Sequence, residues 1–210
     1  EKKIVDGERV KSGDIIAEIK GNTRALLKGE RTALNLLQHL SGIATKTMNL
    51  CDKIKGTKSK VVDTRKTTLG LRALEKYAVR VGGGNNHRFS LSDGVMIKDN
   101  HIKAAGGIKE AVKKIREKIP HTIKIEVETE TLEQVKEALE AGADIIMLDN
   151  MGGDKIKKAV KIVSGKAVIE ASGNVDSDSI SAIAEAGVDI ISVGSLTHSV
   201  SAFDISMKFK

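Results

Sequence analysis

From about residue 58 onward the chain alternates between two hydrophobic periods. Short runs rich in Val and Ile are followed by longer stretches whose apolar residues recur every three or four positions. A chain that repeats strand and helix in this way folds as a parallel sheet whose strands are joined by crossover helices. The strand candidates are 60–63, 94–98, 122–128, 144–148, 167–170 and 189–193, and the helical patterns fall at 69–81, 107–118, 131–141, 155–164 and 177–186. One motif appears twice: "EAGADIIMLDN" from Glu140 and "EAGVDIISVGS" from Glu185 are the same helix end, glycine stop and strand. That echo favours repeated βα units over an unrelated succession.

The third strand candidate decides between two architectures. Ile123, Ile125 and Val127 share one face and Lys124, Glu126 and Glu128 the other, because side chains alternate along a strand. A strand covered by apolar layers on both faces would not carry three charges on one of them. The pattern fits an α/β barrel with a polar, ligand-facing interior better than an open doubly wound sheet.

The first 57 residues differ. Residues 1–21 read as short strands with turns, and 30–55 as a long helix with Leu34, Leu37, Ile43 and Met48 on its inner side. The sequence starts at Glu1 without a methionine, and the expectation is a chain that begins inside a small strand-rich domain whose earlier part is missing. The expected division is 1–57 for the remainder of that domain and a linking helix, 58–199 for the barrel and 200–210 for a closing strand that returns to the first domain.

Bulk properties narrow the partners. The net charge is +7 and the pI about 9.4, but lysines and glutamates are interleaved along helices, as in "GGIKEAVKKIREKI", which is how a solvated face looks. Only four aromatic residues are present, so there is no platform for stacking bases. An anionic small molecule is the expected partner, with no nucleic acid. The longest apolar runs are a handful of residues, far below the roughly 20 that span a bilayer, so no membrane is expected and cytoplasm is the expected location. The single cysteine, Cys51, rules out an internal disulfide, fits a reducing compartment and lies in a helical pattern as a packing residue.

Chemistry collects where the strands end. Asp63, Thr64, Arg65 and Lys66 close the first, Lys98 to His101 the second, Glu128 the third, Asp149 and Asn150 the fourth, "EASGN" the fifth and "VGS" the sixth. Barrel enzymes build their sites at this edge, so polar residues recurring there are placed to converge on one ligand. Arg65, Lys66, His87, Arg88 and Lys98 form a cationic set suited to an anionic substrate, since guanidinium groups grip carboxylate or phosphate bidentately. Glu128 and Asp149 form a carboxylate pair suited to Mg²⁺ or sugar hydroxyls. Ser172, Gly173 and Asn174 with Val193, Gly194 and Ser195 end the last two strands, where glycines let backbone amides approach a phosphate. His101 and His198 admit a structural reading as readily as a functional one, and Gly82 to Gly84 could be no more than a helix stop and turn.

Taken in order, "ERTALNLLQHLSGIATKT", "DTRKTTLGLRALEKYAVRVGGGNNHR", "MIKDNH", "IEVE", "MLDN", "ASGN" and "SVGSLTHS" closely resemble the quinolinate phosphoribosyltransferase family, over residues 26–199. The resemblance implies an open six-stranded parallel α/β barrel, TIM-like, joined to part of an N-terminal α/β sandwich domain. It implies the reaction of quinolinate with phosphoribosyl pyrophosphate to give nicotinate mononucleotide, pyrophosphate and carbon dioxide, with Mg²⁺ as cofactor. It implies that Arg65, His87, Arg88 and Lys98 meet the two carboxylates of quinolinate, with Thr64 beside them and Lys66 between the two substrates. Glu128 and Asp149 would lie near the ribose and metal, and Ser172, Gly173, Asn174, Val193, Gly194 and Ser195 in the phosphate loops. Lys66, Glu128 and Asp149 are the expected catalytic residues. Arg31 matches an arginine that reaches the neighbouring subunit's site, so a homodimer with shared sites is expected. The rival within the enzyme class is a sibling pyrophosphorylase acting on another pyridine or anionic ring; outside it stands a non-catalytic anion-binding barrel.

Overall fold

The computed structural model describes residues 1–209, so Lys210 of the expected closing strand lies outside the described residues. Helix α1 (Thr23–Lys53) starts seven residues before the expected 30, because Asn22 caps it: its side-chain oxygen accepts the amides of Arg24 and Ala25 at 3.0 and 3.3 Å. The second half of α1 buries Gly42, Ile43, Thr47 and Leu50, a spacing of three to four that lays one stripe against the barrel. Its first half does not: Leu27 and Leu37 are exposed, so Leu37 lies outside the inner side expected for it.

The barrel follows as β1 (Lys60–Val62), α2 (Arg72–Val81), β2 (Val95–Ile97), α3 (Asp99–Ala105), α4 (Ile108–Arg116), β3 (Ile125–Thr129), α5 (Leu132–Glu140), β4 (Ile145–Asp149), α6 (Gly153–Val163), β5 (Val168–Ser172), α7 (Ile180–Glu185), β6 (Ile190–Ser192) and α8 (Ser195–His198). All six expected strands form, and every pairing is parallel, in the order β1-β6-β5-β4-β3-β2. Only β1 and β2 fail to meet, which makes the sheet an open barrel with one seam. Helices α3 and α8 were not among the expected patterns; each is under two turns long, too short to leave a period in the sequence.

The seam is closed by the glycine-rich segment after α2. Asn85 bridges Val62 in parallel, its amide donating to Val61 O at 2.8 Å and its carbonyl accepting the Asp63 amide at 3.2 Å. To reach that place the chain must touch α1: a Cβ on Gly82 would lie 2.3 Å from Ala44 O, and one on Gly84 2.7 Å from Thr47 Cγ2. The glycines of 82–84 are therefore more than a helix stop. They let two backbones pack at a distance no side chain permits.

Register sorts the two faces of the sheet. Val127, Ile146, Ile169, Ala171 and Ile191 share the outer face, pack under the helices and are essentially fully buried. On the inner face lie Glu126, Glu128, Met147, Asp149, Glu170 and Ser172. This is the polar interior that the alternation in 122–128 implied.

The repeated motif does the same work twice. At the start of β4, the Asp144 carboxylate accepts the Ile125 amide of β3 at 2.8 Å; at the start of β6, Asp189 accepts the Ile169 amide of β5 at 2.9 Å. Each aspartate thereby satisfies a strand-end donor of its neighbour.

Residues 1–21 contain one antiparallel bridge, Lys2 to Ala17, in place of the short strands expected there. The tail 200–209 forms no strand either: the Phe203 amide donates to Gln38 O at 2.9 Å and Gln38 Nε2 donates to Ile205 O at 2.7 Å, so its hydrogen bonds go to α1. Among the described residues no helix is long and apolar enough to cross a membrane.

Candidate active site

The rim at the C-terminal strand ends is assembled from neighbours in space that are far apart in sequence. The loop after β1 is joined to α8 by Thr197 Oγ1, which donates to Lys66 O at 2.7 Å. Gly194 leaves room there: a Cβ would lie 3.3 Å from the Lys66 side chain and 3.3 Å from the His198 ring. Lys66, Gly194 and His198 therefore form one patch, with Ser195 beside it, whose carbonyl accepts Lys46 Nζ at 2.7 Å. Burial lowers the Lys46 pKa. His198 therefore lies at the rim beside Lys66, while the His101 Nδ1 accepts the Lys98 amide at 3.0 Å at the start of α3.

The next two strand ends interlock. Asn150 donates to Asp149 Oδ2 at 3.0 Å and accepts from Asn174 Nδ2 at 3.1 Å, and both asparagines adopt positive φ, 52° and 48°. Asn150 also lies across Gly173, where a Cβ would meet its Oδ1 at 2.2 Å. Asp149 and Ser172 are register partners on the inner face, so Asp149, Ser172, Gly173 and Asn174 are brought together as expected. Val193 is buried, its amide donating to Val62 O and its carbonyl accepting the Leu196 amide, so it supports the loop.

Two cations stand at the seam. Arg88 Nη1 donates to Gly94 O at 2.9 Å, which spans from the inserted segment to β2. Burial and then the neighbouring Arg65 charge lower the Arg88 pKa, while Glu126 and Asp93 oppose them, so the two guanidinium groups stand close enough to repel. Arg72 fixes their spacing by donating to Arg65 O at 3.3 Å, Thr67 Oγ1 at 3.0 Å and Phe89 O at 3.0 Å. Thr64 Oγ1 accepts the Lys66 amide at 3.1 Å and shapes the same loop.

Lys98, the residue that follows β2, pairs at 2.6 Å with Glu128 of the neighbouring strand β3. Glu128 and Asp149 are both on the inner face of adjacent strands, an oxygen donor set of the kind hard cations take. Arg31 is elsewhere: it lies exposed on the first half of α1, fifteen residues before Lys46 or about 22 Å along the helix axis.

Below the rim the segment is anchored by a buried network absent from the sequence expectations. Asp63, fully buried, accepts from Lys76 Nζ, from Asn86 Nδ2 at 2.5 Å and from the His87 amide at 2.9 Å. Lys76 also donates to His87 O at 3.0 Å. The signal that could have found it is a charged pair on faces that the helix and strand periods assign to the core.

His87 points inward, its Nε2 3.3 Å from Glu126 Oε2 and 3.4 Å from Glu170 Oε2, while its Nδ1 accepts the Arg88 amide at 2.7 Å. Burial favours a neutral ring, but the two carboxylates outweigh it and raise the His87 pKa to about 10. A doubly protonated ring would set an N–H against the Arg88 amide. The Arg88 contact therefore describes an acceptor at Nδ1 and a proton on Nε2 facing both carboxylates; burial and Glu170 push the Glu126 carboxyl up, while the contact with His87 pulls it down. His87, expected at a substrate carboxylate, here spends both ring nitrogens on the protein.

A cavity of about 880 Å³ opens at the other end of the barrel, among Lys58, Lys124, Lys136, Lys166, Asp144 and Asp189. The two aspartates there are already committed to strand amides, so it lacks the converging groups of the rim.

With this geometry in place, comparison with known proteins is specific. Residues 1–41 match the family model of the quinolinate phosphoribosyl transferase N-terminal domain, and residues 43–208 that of its C-terminal domain. A protein of Bacillus subtilis described as a probable nicotinate-nucleotide pyrophosphorylase (carboxylating) is 53% identical over 202 residues, 96% of this chain and 70% of the relative. A Mycobacterium leprae protein described as a nicotinate-nucleotide pyrophosphorylase (carboxylating) is 43% identical over 208 residues, 98% of this chain and 73% of the relative. The crystal structure of NadC from Streptococcus pyogenes superposes with a TM-score of 0.94 at 50% identity, covering 99% of this chain and 73% of that one. The chain belongs to the quinolinate phosphoribosyltransferase family.

Proposed function

We infer that this chain transfers the phosphoribosyl group of phosphoribosyl pyrophosphate to quinolinate and releases carbon dioxide, forming nicotinate mononucleotide and pyrophosphate in NAD biosynthesis. The observation that carries the reading is a rim where Lys98 pairs with Glu128 at 2.6 Å, Asp149 shares the inner face on the next strand, Arg65 stands in the loop after β1 and Arg88 is braced on Gly94 O. A pyridine with two carboxylates answers two adjacent guanidinium groups and an ammonium. A sugar that becomes cationic during transfer answers the carboxylates.

The pyridine nitrogen forms its bond to the ribose anomeric carbon as the bond to the pyrophosphate oxygen breaks, with the electron pair leaving on that oxygen. Positive charge grows on the sugar in between, and Glu128 and Asp149 stabilise it electrostatically. Arg65, Arg88 and Lys98 orient the ring nitrogen, a contribution that can reach about 7 kcal/mol in well-aligned cases. Lys98 must leave Glu128 to take a substrate carboxylate, so substrate binding uncovers Glu128 at the moment it is needed. Lys66, over Gly194, lies between the ring pocket and the phosphate loops. Once the ring nitrogen is quaternised, the carboxylate on the adjacent carbon departs as carbon dioxide, its bonding pair remains on that carbon, and a proton replaces it. Glu128 and Asp149 would hold Mg²⁺, which when bound supplies positive charge against the developing pyrophosphate.

The reading extends to a homodimer in which Arg31 serves the partner's site. It is supported by the exposed Arg31, which makes no hydrogen bond or ion pair among the described residues, and by the exposed Leu27 and Leu37 on the same half of α1. The test of function is carbon dioxide release with phosphoribosyl pyrophosphate and Mg²⁺. Release from quinolinate together with nicotinate mononucleotide is expected; turnover of a different pyridine with none from quinolinate would favour a sibling pyrophosphorylase.

A further inference from the structure

Among the buried carboxylates the reaction does not call on, Glu126 and Glu170 are the pair left with an unpartnered oxygen. They stand on the inner face of β3 and β5, 3% and 1% exposed, and the Oε1 of each lacks a hydrogen-bond partner. Burying a carboxylate with an unmatched oxygen costs stability, so their presence needs a return elsewhere. Each turns its other oxygen to His87 Nε2.

The trio contains the ligand types of a metal centre, all within 4.8 Å of one another. The far side of the ring argues against that use. A histidine bound to metal through Nε2 carries its proton on Nδ1 and donates it, whereas here Nδ1 receives the Arg88 amide. What remains is a chain of directed contacts: carboxylates to Nε2–H, Nδ1 to the Arg88 amide, and from Arg88 a guanidinium braced on Gly94 O.

We propose that Glu126 and Glu170 are positioning residues for substrate recognition: by holding the His87 proton on Nε2 they free Nδ1 to receive the Arg88 amide, and so fix the backbone from which the Arg88 guanidinium reaches the pyridine carboxylates. This rests on the reading of Arg88 as a carboxylate ligand.

Glu126→Met and Glu170→Met, and the isosteric Glu126→Gln and Glu170→Gln, test it by steady-state kinetics and by ¹⁵N NMR of the His87 ring. For the methionine variants the KM for quinolinate should rise about tenfold, the scale of one lost charged hydrogen bond, with the KM for phosphoribosyl pyrophosphate unchanged. Glutamine, which keeps an acceptor oxygen, should recover most of that loss. The ring should carry its proton on Nε2 in the unaltered protein and shift toward Nδ1 in the methionine variants. An unchanged quinolinate KM in folded methionine variants, equal rises for both substrates, or an unaltered tautomer overturns the proposal; if a methionine variant does not fold, the ring of the unaltered protein decides, and a proton found on Nδ1 overturns the proposal. An unaltered protein that binds quinolinate by calorimetry but releases no carbon dioxide would refute the functional reading alone, and the tautomer measurement would still stand.

Discussion

At the scale of single residues, the site depends on a buried ion pair that touches no substrate. Asp63 and Lys76 are both out of solvent, and removing one leaves the other buried without its counter-charge. Lys76→Met should therefore lower the unfolding free energy by about 3 kcal/mol in a denaturant titration, the usual cost of breaking such a pair. Arg88→Ala should weaken quinolinate binding by about 2 kcal/mol by calorimetry, the worth of a hydrogen bond between charged groups. Glu128→Gln and Asp149→Asn should lower kcat more than they weaken quinolinate binding, because their charge acts on the sugar as it becomes cationic; equal turnover would remove them from the reaction. Most rim residues were legible because they stand directly after an apolar run, where strand ends are expected to carry function; Arg88 follows the glycines of 82–84 instead and was legible from its chemistry and the family motif. Glu126 and Glu170 were not singled out. The alternation placed Glu126 on the polar face, but nothing in one strand says that another strand's glutamate and a loop histidine meet it.

At the scale of elements, two devices hold the rim in place. The first is the seam, where Gly82 and Gly84 let the inserted segment lie against α1. Gly84→Val should overpack that contact and cost about 1–3 kcal/mol in thermal or denaturant unfolding. The second is the repeated aspartate at the strand starts. Burial raises the Asp144 pKa, but the Ile125 amide, Arg116 and Lys124 outweigh it and hold the carboxyl below its usual value. Its folded pKa lies below the unfolded one, so its contribution is complete above the unfolded pKa near 4 and is lost as the pH falls through the folded pKa. The unaltered protein should therefore lose more stability between about pH 5 and pH 3 than Asp144→Asn does; parallel losses would show that Asp144 carries none of it. The six strands were legible from β-branched runs, and the echo of Gly142 and Gly187 marked repeated units. The short α3 and α8 and the tail against α1 were not, since their hydrogen bonds are set by partners distant in sequence.

At the scale of the whole molecule, the open barrel turns scattered cations and carboxylates into one surface, and Arg31 lies too far along α1 to belong to it. If the partner's site uses Arg31, mixing Arg31→Ala with Lys66→Ala should restore activity that neither variant has alone. No recovery in a mixed dimer would contradict shared sites. The central claim, that Arg65, Arg88 and Lys98 together grip a doubly negative pyridine beside the sugar carboxylates, is tested most directly by a crystal structure with quinolinate bound. The account predicts the two substrate carboxylates within hydrogen-bond distance of Arg65, Arg88 and Lys98, with Lys98 withdrawn from Glu128 and the ring nitrogen facing Glu128 and Asp149. Quinolinate seated away from Arg88, with Lys98 still paired to Glu128, would contradict it.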